Sequence, residues 1–490
     1  VDLRVQRYYA SNYLNVYDSH RKTSILFNGF TGAIDEVTQD LGKVLHKAAR
    51  SREPLSTAEV SAITKPAIEF LKRRGHVTTI GPEKEIELFV NYTKKLHQHI
   101  TGAFEKEGSL MIVPSYNCNL ACSYCYQSML RNGARKKAKI MTPEQVDFIF
   151  TRLIEQVFPN VSDKARISIM LYGGEPFMLL HRPVLRRIIK YTKKYQMRVS
   201  AITNTTQVHN MMELFGNEIG LVNSVQSSFD GSKENHDKSR VNVRKAPTFE
   251  RIIENIHKLL DKRVRVGIRI NVDKNSILTL PRLVERLKKE DILEHPLVHV
   301  YAWMIHSHYG QIESDSLVLP LELTEYIEAN HIPIETPVGR CERRLKAVFD
   351  ATEGNPLRRT AFCMKHLPNS FVFDADGNLY DCYEEAGHPE KRVGYVNQSG
   401  RVVLESPQRE MDIERHVAAI EECRSCSLAL TCGGGCSFSA KARTGTIYAA
   451  DCNYHKECVE KAVGNLFRKK VESMENHLGI EKSEDLYPYA

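Results

Sequence analysis

From residue 109 to about 305 the chain alternates strand-like and helix-like segments, and few folds accommodate that pattern. SLMIVPSYN, RISIMLYGG, RVSAITNT, NSVQSSFDG, VRVGIRINV and LVHVYAWMI are apolar, β-branched runs. Between them TPEQVDFIFTRLIEQVF, PVLRRIIKYTKKY, TFERIIENIHKLLDK and LPRLVERLKKE carry apolar residues at helical spacing. Strands joined by helical crossovers pair in parallel, because parallel neighbours need long right-handed connections. Six such strands are too few for a full eight-stranded barrel. The pattern therefore predicts an α/β domain over residues 106–310, built as an open or partial (β/α)6 barrel with ligands at the C-terminal ends of its strands.

Directly after the first of these strands stands NCNLACSYCYQ, with Cys118, Cys122 and Cys125 at C-x-x-x-C-x-x-C spacing. Three thiolates leave one position open on a tetrahedral zinc, or one iron without a protein ligand in a four-iron cluster. Of the 12 cysteines none precedes Cys118, Cys341 stands alone, and the rest lie between Cys363 and Cys458. The opening VDLRVQRYYASNYLNVYDSH lacks the apolar core and cleavage site of a secretory signal, and no run of about 18 apolar residues offers a membrane span. The expectation is a cytoplasmic protein with no membrane partner, in a compartment where clustered thiols bind metal more often than they form disulfides. With 42% hydrophobic and 26% charged residues the chain reads as globular, and its net charge of +8 is too dispersed to indicate nucleic acid. RNGARKKAK, Arg131 to Lys139, reads as a solvated basic loop.

The cysteine spacing, placed after the first strand of a repeated strand-helix unit, resembles the radical S-adenosylmethionine (SAM) superfamily. The resemblance runs on through YGGEP after the second strand, TNT after the third, with Thr205 where the family has glycine, and SFDG followed by HDKSR at the fourth. It implies a [4Fe-4S] cluster on Cys118, Cys122 and Cys125 and a SAM site. There Gly173, Gly174 and Glu175 receive the amino group, Asn204 and Ser228 face the ribose and methionine, Arg240 meets the carboxylate and Tyr126 packs at the adenine. The implied chemistry is reductive cleavage of SAM to a 5'-deoxyadenosyl radical, with the electron coming from a donor such as flavodoxin or ferredoxin. No catalytic acid or base is assigned.

Further on, Cys363 and Cys382 flank NSFVFDADGNLYD, which reads as a hairpin turned at Asp376-Gly377, followed by Cys423, Cys426, Cys432, Cys436 and Cys452. The series resembles the SPASM domain of radical SAM peptide maturases and implies two auxiliary [4Fe-4S] clusters, three clusters in all. Cys363, Cys382 and Cys436 would serve the nearer one, with Cys341 the favoured fourth ligand. Cys423, Cys426, Cys432 and Cys452 would serve the farther one, and Cys458 reads as a buried thiol. Residues 1–105 carry short alternating runs, two helical patterns (AIDEVTQDLGKVLHKAA and STAEVSAITKPAIEFLKRRG) and a returning strand. They resemble the winged-helix-like element by which peptide maturases bind a precursor's leader segment, with SILFNGFTGAIDEV as its strand and the turn into a helix. A bridging region over 311–362, a SPASM domain over 363–465 and a C-terminal helix and tail over 466–490 complete the expected organisation. The function so implied is radical modification of a ribosomally made precursor peptide, by crosslinking or a related oxidation. Three alternatives stand beside it. A non-enzymatic iron-sulfur electron carrier would not need the SAM motifs, and a zinc-bearing nucleic-acid binder would carry zinc in ribbon-like pairs. An anaerobic sulfatase maturase has an Asp directly after the hairpin cysteine, where this chain has Tyr383.

Overall fold

The structure, a computed structural model, describes residues 6–18, 22–128, 130, 138–306, 314–350, 359–404, 407–452 and 455–478. Residues 131–137 of the basic loop and the last residues of the C-terminal tail, 479–490, lie outside these. By its contacts the chain divides into two compact units, one of residues 1–100, 338–366 and 414–490, the other of residues 101–337 and 367–413.

In the first unit, strands β2 (Leu14–Asp18), β3 (Thr23–Asn28) and β4 (Ile34–Thr38) form an antiparallel sheet in the order β2-β3-β4, and β1 (Tyr9–Ala10) pairs with β5 (Val77–Thr78). The helical pattern starting at Ala33 is corrected here. Ile34 to Thr38 pair residue by residue with β3, and the helix begins only at Gln39, where the Thr38 side chain accepts from the Leu41 amide. Sheet pairing wins over local periodicity for those five residues, so the turn at Gly29 to Gly32 leads into a strand and not into a helix. The second pattern breaks into Thr57–Ala62, opened by a capping box of Ser56 and Glu59, and Lys65–Arg74, opened by Thr64 with proline in its first turn. Leu14, Leu26, Leu45, Leu55, Leu71 and Val77 form the core between sheet and helices.

The second unit is built on a ten-stranded sheet. Its parallel part comprises β6 (Gly108–Val113), β7 (Ile167–Leu171), β8 (Val199–Ile202), β9 (Val222–Phe229), β10 (Arg265–Val272) and β11 (Val298–Met304), in sequential order from β6 to β11. These are the six expected strands, and among the described residues β11 is the last strand of the sheet on that side, with only a single bridge from Tyr301 to Glu335 beyond it. The hairpin read at Asp376-Gly377 forms β12 (Ser370–Asp374) and β13 (Asn378–Tyr380), with Gly377 at a φ of 85°. Its strand β12 runs parallel beside β6, and β13, β14 (Gly394–Val396) and β15 (Val402–Leu404) continue as an antiparallel meander, so the hairpin extends the central sheet.

Alternation along the strands separates two faces. Val225, Phe229, Val266, Ile268, Ile270, Val300 and Ala302 are buried in the core that the crossover helices cover. Gln226, Ser228, Arg269, Tyr301 and Trp303 alternate with them on the other face. The register sets Ser228 beside Arg269 and Arg269 beside Tyr301, so polar side chains line that face in rows.

Candidate active site

The loop after β6 carries Cys118, Cys122 and Cys125, all half-buried. Backbone hydrogen bonds from Ala121 to Val241 (2.7 Å) and from Val243 to Asn119 (3.0 Å) pin it to the segment following Arg240. The glycines of YGGEP have a steric reason. Gly173 takes a φ of 127°, and a Cβ there would stand 2.6 Å from the Ser115 carbonyl oxygen. At Gly174 a Cβ would stand 2.1 Å from the Asn117 carbonyl oxygen. Two bare residues thus let the loop after β7 lie directly against the chain entering the cysteine loop, and the amides of Gly174 and Glu175 donate to Ser115 and Asn117 at 3.1 and 2.8 Å.

Glu175 is fully buried. Its carboxylate accepts from the Asn204 amide (2.6 Å), the Thr203 hydroxyl (2.7 Å) and the Phe177 amide (2.9 Å). Burial raises its pKa, and these donors oppose the rise. Both oxygens are engaged inside the protein, so the carboxylate fixes the TNT loop. Asn204, held at its backbone by Glu175, extends its side-chain amide to Asn119 (2.9 Å) and to the Cys118 sulfur (3.7 Å). Thr205, where the family has glycine, has a φ of 64°. Its left-handed backbone is held by a hydrogen bond from its hydroxyl to Ser227 (2.7 Å) and one to its carbonyl from Asn255 (2.7 Å).

Arg240 is buried in a polar network. It donates to the Tyr124 hydroxyl at 2.7 Å and stands 3.8 Å from Asp230. Asp230 accepts from Tyr124 (2.8 Å), Ser239 (2.7 Å) and Asn271 (3.1 Å), and Arg269 donates to Asn271 at 2.9 Å. Tyr124, Asp230, Arg269 and Asn271 are absent from the residues singled out by sequence. Two signals were present, since Asp230 belongs to SFDG and Tyr124 is the aromatic between the second and third cysteines. Tyr126 joins a different group, sharing a 2.6 Å hydrogen bond with the Tyr172 hydroxyl and donating to the Tyr383 carbonyl at 3.3 Å. Ser228 is half-buried on the polar face. Six residues named from motifs far apart in sequence, Cys118, Gly173, Gly174, Glu175, Asn204 and Arg240, therefore meet around one loop.

The later cysteines belong to both units. Cys382 lies in the second, while Cys341, Cys363, Cys423, Cys426, Cys432, Cys436, Cys452 and Cys458 lie in the first. Burial raises the Cys423 pKa strongly, and the thiols of Cys426, Cys432 and Cys452 add to the rise. Cys341 is buried, and its thiol adds to the rise that burial causes in the Cys458 pKa. Between Cys432 and Cys436, Gly433, Gly434 and Gly435 all have positive φ (79°, 82° and 75°), and a Cβ on Gly435 would stand 1.9 Å from the Asp451 carbonyl oxygen. Only glycine allows that turn to lie against the residue preceding Cys452. Arg415, fully buried, donates to the carbonyls of Gly434, Gly435, Ile447 and Ala449 and ties the same turn in place. Among the described residues no three His, Cys, Asp or Glu side chains are grouped to hold a single metal ion. A four-iron cluster places each thiolate on its own iron and asks for a wider arrangement.

The open parallel sheet with a three-cysteine loop at the C-terminal end of its first strand carries a radical SAM domain. Residues 112–276 match the Radical SAM superfamily. The chain is 25% identical over 381 residues to a cysteine-type anaerobic sulfatase-maturating enzyme of Clostridium novyi (strain NT), covering 74% of this chain and 96% of that protein. It is 27% identical over 251 residues to the Fe-coproporphyrin III synthase of Methanosarcina barkeri (strain Fusaro / DSM 804), covering 50% of this chain and 58% of that protein. Among solved structures, native anSMEcpe with bound AdoMet and Cp18Cys peptide superimposes with a TM-score of 0.53 at 18% identity, covering 75% of this chain and 99% of that one. That likeness concerns the fold. No helix among the described residues is long and apolar enough to cross a membrane.

Proposed function

We propose that this radical SAM enzyme modifies a ribosomally made precursor peptide in the cytoplasm, with one [4Fe-4S] cluster on Cys118, Cys122 and Cys125 and two auxiliary clusters on the later cysteines. The observation that carries the reading is Asn204, whose backbone is set by Glu175 and whose side chain reaches Cys118. The three half-buried thiols on one loop suit a cluster with an open iron. SAM and the reduced cluster, when bound, supply hydrogen abstraction from unactivated carbon. The protein's part is to bind and orient. Gly173 and Gly174 offer main-chain groups to the amino end of SAM, Asn204 and Ser228 face its ribose and methionine, Arg240 takes its carboxylate and Tyr126 lies toward the adenine. Arg240 is suited to an anion because it is already buried and held by Tyr124 and Asp230. The polar face carrying Arg269, Asn271 and Tyr301 suits an extended polar substrate, as a peptide is.

The first hundred residues supply a place for the leader. With order β2-β3-β4, strand β4 lies at the edge of its sheet, and a peptide adds to such an edge through main-chain hydrogen bonds. An electron donor such as flavodoxin or ferredoxin completes the system. The second reading, maturation of a sulfatase Ser or Cys, is favoured by the relative that this chain covers to 96% of its length. Tyr383 after Cys382 speaks against it, since no Asp stands there as base. The test is anaerobic turnover with SAM and a reductant, followed by mass spectrometry of two substrates. A short peptide encoded beside this gene should be modified in a SAM-dependent way, whereas exclusive modification of a sulfatase-derived peptide selects the second reading.

A further inference from the structure

The helix Arg182–Lys194, which follows β7 and its YGGEP loop within the second unit, carries six basic residues and no acidic one. Val184, Leu185, Ile188 and Ile189 bury its apolar side, and Arg186, Lys190, Lys193 and Lys194 stand exposed on the other. Two further crossover helices mix both signs, Phe249–Asp261 with Glu250 and Glu254 and Leu280–Lys289 with Glu285. Lys193 and Lys194 complement the helix dipole at the C-terminal end. Arg182 does not, because it stands in the first turn, where the dipole disfavours a cation and no acidic residue accompanies it.

Neighbouring elements do not cancel this charge. Arg182 and Arg186 share one carboxylate oxygen of Glu213 at 2.9 and 2.8 Å, Arg187 pairs with Asp147 at 2.6 Å, and Lys193 lies 3.7 Å from Glu218. Six cations therefore meet three carboxylates, and Lys190 and Lys194 are left without an ion pair among the described residues. At the start of the helix Leu179 and Leu180 are exposed, and the Gln207 side chain fixes the Leu179 amide at 3.1 Å. A fixed apolar pair edged by arginines has the make-up of a small, transient protein contact.

The place of this face identifies the partner. The Glu175 amide donates to Asn117, the residue before Cys118, while the carbonyl of the next residue, Pro176, lies 3.0 Å from Nδ1 of His181, directly before Arg182. Residues 175–182 thus hold the cysteine loop at one end and open the cationic face at the other. We propose that Leu179, Leu180, Arg182, Arg186 and Lys190 form the docking face for an acidic one-electron carrier protein, the reductant of this enzyme. The proposal rests on the radical SAM reading made above, in which each SAM cleaved consumes one electron. The carrier gives up that electron and leaves oxidised, and the carbon-sulfur bond of SAM breaks to methionine and a 5'-deoxyadenosyl radical. Opposite charge speeds the encounter without requiring a large, slowly released interface.

The test uses the full chain, anaerobically reconstituted, with an acidic bacterial flavodoxin as the probe. Binding is read from the flavin fluorescence of oxidised flavodoxin, and SAM cleavage from 5'-deoxyadenosine formed with reduced flavodoxin or with dithionite. Arg186→Glu together with Lys190→Glu should weaken flavodoxin binding at least about tenfold and slow flavodoxin-driven cleavage in step, with dithionite-driven cleavage unchanged. Arg186→Gln with Lys190→Gln, which removes charge without adding repulsion, should give a smaller loss in the same direction, and it decides the matter if the glutamate pair does not fold. Lys262→Glu with Lys288→Glu, an equal charge change at exposed lysines elsewhere, should bind flavodoxin as the parent does. Unchanged binding by the glutamate pair, no binding by the parent, or an equal loss in the control pair would overturn the docking face. A parallel fall in dithionite-driven cleavage would overturn it as well, in favour of structural support for the YGGEP loop. If the parent cleaves no SAM with dithionite, the radical SAM reading fails, and the binding comparison still decides the face.

Discussion

The hydroxyl of Tyr13 donates a 2.5 Å hydrogen bond to the main-chain carbonyl of Arg424, 411 residues further along the chain. Close by, Ser427 donates to the side chain of Asn15 at 2.6 Å, and a Cβ on Gly29 would lie 1.6 Å from the Ser427 carbonyl oxygen. The N-terminal strands therefore rest on the turn that contains Cys423 and Cys426. Adding one methyl group at Gly29 must push the two backbones apart, so Gly29→Ala should lower stability by about 1–3 kcal/mol. Thermal unfolding and iron analysis of the anaerobically purified variant check this, and an unchanged melting temperature with full iron content would contradict it.

Replacing Cys118, Cys122 and Cys125 together with Ala should abolish SAM cleavage while leaving the iron bound by the later cysteines. The two sets lie far apart in sequence and on different elements, and only the first sits at the end of the parallel strands. Assay of 5'-deoxyadenosine beside iron and sulfide content is the measurement. Surviving turnover would refute the radical SAM site.

Glu175→Gln keeps the volume of a fully buried side chain but turns an amide donor toward a carboxylate's donors. One of the Asn204 amide, the Thr203 hydroxyl and the Phe177 amide then loses its acceptor, at a cost of about 1–3 kcal/mol. SAM affinity should fall at least about tenfold while the protein stays folded, as read by calorimetric titration and circular dichroism. Equal affinity would show that the TNT loop does not need this clamp.

Arg415→Met should be among the more damaging single changes outside the cysteines. It strips the donors from the carbonyls of Gly434, Gly435, Ile447 and Ala449 in a fully buried site, for a loss of at least about 3 kcal/mol. Iron retained by the cysteine-rich segment after mild heating should drop, and retention equal to the parent would count against the tie.

Acid should destabilise the first unit through His416. Burial, with help from the adjoining His97 and from Lys94, lowers its pKa from 6.5 to about 4, and its ring accepts from the Ala418 amide at 3.1 Å, which favours the neutral form. The unfolded chain takes up this proton first as pH falls, so the stabilising contribution is complete above about pH 6.5 and disappears toward pH 4. The full effect is about 3 kcal/mol. His416→Phe should flatten the dependence of the melting temperature between those limits, and an unchanged slope would exclude this origin.

The alternating apolar segments and the cysteine spacing carried the parallel sheet and the radical SAM class, because both depend on short-range pattern. Strand and helix periods, right-handed crossovers and a three-thiol loop are local statements that leave few folds open. YGGEP and TNT were legible for the same reason, since each is a contiguous run at a strand end. Partnership between distant side chains was not legible. Tyr124 and Asp230 stand 106 positions apart, and nothing in either neighbourhood specifies that they bond. The strand at Ile34 to Thr38 escaped because its own periodicity suits a helix, and only hydrogen bonds to β3 make it extended. The placement of β12 beside β6 and the contact of Tyr13 with Arg424 were likewise decided by tertiary structure. Local chemistry sets which elements can form. Which of them meet depends on burying apolar surface and satisfying polar groups over the whole chain at once, and no short window of sequence contains that balance.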